Sequence, residues 1–83
     1  MLLPETEVAI MAKENITGRI TGENFRRLLK ANHMTQQAFA DQYGMELRNV
    51  SRWINEEKLT NIMDIQALAD YFEVPFSEFF KPI

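Results

Sequence analysis

A chain of 83 residues, 46% hydrophobic and 25% charged, has the composition of one small folded domain and is too short for a second domain or an elaborate catalytic cleft. With no cysteine, disulfides and thiolate metal sites are excluded, and the reducing cytoplasm is the expected location. The net charge of −3 excludes nucleic-acid binding through bulk positive charge, yet residues 1–55 carry seven Lys or Arg against six Asp or Glu while residues 56–83 carry two against six, so an anionic partner would meet the first part.

The opening MLLPETEVAIMA lacks a basic start and is interrupted by Pro4, Glu5 and Glu7, and no stretch of roughly eighteen apolar residues occurs, so neither a secretion signal nor a membrane span is expected. PETEVAIMAKEN has Pro4 at a first helical position, acids in the first turn, and Val8, Met11 and Ala12 on one side, which predicts an extra short helix, although Met11 is also a possible start. TGRIT, residues 17–21, reads as a connecting loop. Residues 1–21 are therefore expected to form an N-terminal extension and residues 22–83 the folded domain.

Thr21 reads as an N-cap, after which Phe25, Leu28 and Leu29 recur at helical spacing with Arg26, Arg27 and Lys30 on the surface. His33 follows the end of this helix, where its protonated form would favour the C-terminus; a single histidine builds no zinc site. Thr35 reads as a second N-cap, and QQAFADQY sets Phe39, Ala40 and Tyr43 on one face before Gly44 stops the helix. Gly44-Met45-Glu46 is a turn short enough to produce helix-turn-helix geometry over residues 35–55. From Leu47, stepping about 100° per residue gathers Trp53, Val50, Ile54 and Leu47 on one arc and Ser51, Arg48, Arg52 and Asn49 on the other. After a loop through Glu56, Glu57 and Lys58, a stripe of Ile62, Ile65, Leu68, Ala69 and Phe72 marks an amphipathic helix. Pro75 opens a terminal turn carrying Phe76, Phe79 and Phe80, which Pro82 ends. Met34, Met45 and Met63 fall at helix junctions and read as packing.

In this order of elements, the stretch from Asn24 to Phe80 resembles the helix-turn-helix domain of phage lambda repressor, Cro and the xenobiotic-response-element-type regulators. The residues that carry the resemblance are Thr35-Gln36, Ala40 before Gly44, Val50, Ser51-Arg52-Trp53, Asn55, Ile62, Leu68-Ala69, Phe72-Glu73-Val74-Pro75 and Ser77-Glu78-Phe79-Phe80. The resemblance implies an all-α, compact five-helix fold preceded by the N-terminal extension. It also implies a sequence-specific regulator of double-stranded DNA, acting as a homodimer on a symmetric operator, with no enzyme activity, cofactor or metal.

Counted from Glu46, the second, third and seventh positions of the family's reading helix correspond to Leu47, Arg48 and Arg52, with Ser51 beside them. Each arginine can pair bidentately with guanine O6 and N7, whereas Leu47 either meets a thymine methyl or packs inward. Gln36 corresponds to a phosphate-contacting position, with Thr35 capping beneath it and Gln37, Asn49 and Asn55 as further phosphate candidates. Arg26, Arg27 and Lys30 rank behind them. Trp53 matches a core position rather than a stacking platform. A dimer interface would draw on Tyr71, Phe76, Phe80 and Ile83, together with the amphipathic N-terminal segment, unless these aromatics complete the monomer core. Glu46, where the family favours Ser, Thr or Asp, and Glu56 and Glu57, where it favours glycine and basic residues, depart from the pattern. They leave room for a rival role as a protein-interaction module that has kept the fold without DNA binding.

Overall fold

Gly18, Thr21, Gly22, Phe25, Leu28 and Leu29 recur every three or four residues, and in the computed structural model, which describes residues 16–82, all of them are buried along one continuous helix, α1 (Ile16–Ala31). This corrects the reading of residues 17–21 as a loop and of Thr21 as an N-cap. The Thr21 hydroxyl instead lies within hydrogen-bond reach of the Leu59 carbonyl at 2.5 Å and the Gly18 carbonyl at 3.2 Å. The physical reason is close helix-to-backbone approach: a Cβ on Gly22 would stand 2.7 Å from the Trp53 carbonyl oxygen, and one on Gly18 would collide with the Glu57 carbonyl. The short helix expected within residues 4–15, and Ile83, lie outside the described residues.

Three further helices follow, α2 (Gln36–Tyr43), α3 (Leu47–Asn55) and α4 (Ile62–Phe72), and a 3₁₀ turn (Phe76–Phe80) closes the domain, in keeping with the five-helix expectation. Thr35 Oγ1 accepts the Ala38 N–H at 3.0 Å, and Asn61 Oδ1 accepts the Met63 N–H at 2.8 Å, so α2 and α4 are capped by side chains. Glu46, at the N-cap of α3, makes no such bond. Every one of the four helices ends on a left-handed residue: His33 at φ 56°, Gly44 at 85°, Glu57 at 56° and Glu73 at 58°. The residue after each reaches back across the last turn, Met34 to Leu29, Met45 to Ala40, Lys58 to Arg52 and Val74 to Ala69, at 2.9–3.3 Å.

The core is assembled from Phe25, Leu28 and Leu29 of α1, Phe39 and Ala40 of α2, Val50 and Ile54 of α3, Ile65, Leu68 and Ala69 of α4, with Leu59 and Phe79 filling the remaining space. Phe25 is its aromatic hub, edge-on to Phe39 at 5.1 Å, Trp53 at 5.8 Å and Phe72 at 6.2 Å. Trp53 thus packs against the core as expected, and so do Met34 and Met45. Ile62 and Met63 do not: they are 59% and 79% exposed, because the buried stripe of α4 begins one turn later, at Ile65.

Tyr71 is half-buried against Phe39 and Tyr43, both at 5.3 Å, and its hydroxyl donates to Gln42 Oε1 at 2.9 Å, which joins α4 to α2. Burial raises the Tyr43 phenol above its usual range, and the Asp64 carboxylate adds to the effect. Phe76 and Phe80 pair at 5.1 Å, half-buried against the core. The closing turn is tied to α1 by Asn24, whose amide donates to the carbonyls of Phe79 at 3.1 Å and Lys81 at 3.0 Å.

Candidate nucleic-acid interface

Because Val50 and Ile54 anchor α3 in the core and Trp53 lies half-buried beside them, the opposite arc of the helix has only solvent to face. Arg48, Asn49, Arg52 and Asn55 are all exposed on it. Arg48 and Arg52 leave the helix one turn apart, with Arg52 Nε 3.9 Å from Glu56 Oε1. Leu47 is 40% exposed at the edge of this arc. The turn that carries α3 is held rigidly from the α2 side, since Gly44 adopts the conformation that only glycine takes freely, and its N–H bonds Ala40 at 2.9 Å.

The N-terminus of α2 lies against the side of α3. The Ser51 hydroxyl donates to Gln36 Oε1 at 3.0 Å, a partly buried bond between the two helices. Thr35 is occupied by its cap, and Gln37 Nε2 donates to Asp41 Oδ1 at 2.9 Å, which lays Gln37 along the surface of its own helix. A groove of ≈ 230 Å³ runs beside Gln36, lined by Thr35, Met34 and, from α1, Arg26, Leu29 and Lys30. Arg26 reaches α3 as well, its Nη2 donating to Asn55 Oδ1 at 3.5 Å. Arg27 is drawn elsewhere: Nε and Nη2 donate to Asn24 Oδ1 at 3.1 and 2.8 Å, and Nη2 lies 3.5 Å from Glu78 Oε1. Of Arg26, Arg27 and Lys30, the first and last therefore border the α2–α3 surface and Arg27 serves the closing turn.

Lys58 was not among the residues anticipated for this surface. It lines a groove of ≈ 340 Å³ with Met45, Asn49, Arg52 and Trp53, which adds a cation to the exposed arc just past the end of α3. Its signal in the sequence is its position as the single cation in the loop after α3, masked there by Glu56 and Glu57. Those two acids and Glu46 are exposed at the two ends of α3 and set a negative field around a positive stripe.

Among the described residues, no group of three or more His, Asp or Glu is placed to hold a metal ion, and no helix is long and apolar enough to cross a membrane. Comparison with known proteins yields one finding: a family model described as helix-turn-helix matches residues 25–79, from the middle of α1 through the closing turn. No curated protein and no solved structure matches the chain.

Proposed function

The chain belongs to the lambda repressor/Cro-type helix-turn-helix family, and from that membership we propose that it is a regulator that binds double-stranded DNA sequence-specifically, setting α3 into the major groove. The observation that carries the reading is the division of α3, with Val50 and Ile54 buried on one arc and Arg48 and Arg52 exposed one turn apart on the other. A helix about 10–12 Å across enters a groove about 12 Å wide, and each guanidinium matches O6 and N7 of a guanine. Leu47 is proposed to lie against a thymine methyl. Gln36, Asn49, Asn55, Arg26, Lys30 and Lys58 are proposed to meet phosphates and fix the register of α3, with Thr35 and Gln37 supporting the start of α2.

One helix of this length reads few base pairs, so two copies on a symmetric operator are proposed, with half-sites about one helical turn apart. Among the described residues, apolar groups that a second copy could cover include Ile62 and Met63, with the outer rims of Tyr71, Phe76 and Phe80. A second reading, a protein-interaction module without DNA binding, is favoured by the exposed Glu46, Glu56 and Glu57 around α3.

Selection of bound sequences from a random duplex pool at moderate salt separates the two. A palindromic motif enriched by the native protein and lost in a folded Arg48→Ala, Arg52→Ala variant is expected from the first reading. Enrichment by neither, with the helices intact, would overturn it in favour of the second.

A further inference from the structure

We propose that Ser51 is a positioning residue that aims the Gln36 amide at a DNA phosphate, rather than a residue that reads a base; the assignment rests on the DNA-binding reading above. Ser51 adjoins Arg52 in sequence, which suggests a base contact, but the helical step turns it toward α2, where it is half-buried. Its single proton goes to Gln36 Oε1 at 3.0 Å. With that carbonyl oxygen engaged, the Gln36 amide has its two N–H groups to offer to an acceptor other than Ser51.

That end of α2 is already suited to an anion. Thr35 takes the Ala38 N–H, so the N–H groups of Gln36 and Gln37 at the helix start are left to an outside acceptor. Arg26 and Lys30 flank the same groove. A free glutamine side chain samples many rotamers, and the bond from Ser51 holds one of them before DNA arrives. The hydroxyl therefore acts through Gln36: it strengthens a backbone contact and carries no base preference.

The test compares the native protein with Ser51→Ala, Ser51→Thr, Gln36→Ala and the Ser51→Ala, Gln36→Ala double variant, each checked for native helix content. The probes are the best duplex selected from the random pool and the set of its single-base-pair variants. Positioning predicts that Ser51→Ala weakens every duplex by a similar factor of about five, the worth of one hydrogen bond. It also predicts that Ser51→Thr restores binding and that the double variant binds no worse than Gln36→Ala alone. Relaxed preference at one base pair, with a loss that adds to that of Gln36→Ala, would mark Ser51 as a base reader and overturn the assignment. So would unchanged binding by Ser51→Ala. If the native protein itself enriches no duplex, the DNA reading falls and the assignment with it, an outcome distinct from native binding that is indifferent to Ser51.

Discussion

Thr21 shows what one buried hydroxyl does in a domain of this size. Its bond to the Leu59 carbonyl links α1 to the segment between α3 and α4, which are otherwise far apart in sequence. Thr21→Val keeps the shape and leaves that carbonyl without this partner, so we expect a loss of about 1–3 kcal/mol in denaturant unfolding with an unchanged fold. The same residue shows where sequence reading stops. A threonine before Gly22 and Glu23 has the local pattern of an N-cap, and only the long-range acceptor distinguishes the two roles. Arg48 and Arg52 were legible for the opposite reason: their exposure follows from the period of the one helix that carries them. Asn24 was silent in the sequence because its acceptors, the carbonyls of Phe79 and Lys81, lie at the other end of the chain.

At the scale of elements, a helix boundary was legible where the residue type itself makes it, as at the starts of α2 and α4 and at Gly44, and not elsewhere, as at the start of α1. Thr35 and Asn61 cap through their own side chains, a chemistry that residue type announces. Three of the four left-handed ends are occupied by His33, Glu57 and Glu73, residues that pay for a conformation glycine adopts freely, so the sequence carries no mark of them. Glu57→Gly is accordingly expected to stabilise the domain by about 0.5–1 kcal/mol, measured as a higher unfolding midpoint. Gly22 gives the opposite case. Helix propensity alone says that alanine there should help by about 1 kcal/mol. With the Trp53 carbonyl 2.7 Å from the added methyl, we expect Gly22→Ala to lower stability by about 1–3 kcal/mol instead, as α1 is pushed off the end of α3. The spacing Gly18-x-x-x-Gly22, with Thr21 and Phe25 on the same face, was the signal that could have extended α1 backwards into residues 17–21.

For the molecule as a whole, the closing turn depends on charge. The Lys81 ammonium, hydrogen-bonded to Glu78 at 3.0 Å, and the Arg27 guanidinium beyond it hold the Glu78 carboxyl below its ordinary value of 4.5. A carboxyl depressed in the folded state stabilises the fold above its unfolded value, and the contribution is lost as the pH falls from there through the lower folded value. Melting curves should therefore be insensitive to Glu78 at neutral pH as regards slope and fall in acid, and Glu78→Gln should flatten that acid decline. High salt should flatten it too, since the groups are partly exposed.

The tether between α1 and the rest of the domain bears on where the chain can be cut. The matched segment, residues 25–79, begins after Gly18, Thr21, Gly22 and Asn24 and ends before Lys81. A fragment excised at those limits keeps the whole helix-turn-helix yet loses every bond that Thr21 and Asn24 make. We expect it to melt well below residues 16–83 in a thermal scan followed by circular dichroism, and a fragment that melts with the longer one would show the tether to be dispensable. For anyone transplanting this module into a fusion, the boundary drawn by family likeness and the boundary drawn by cooperative unfolding are different places on the chain.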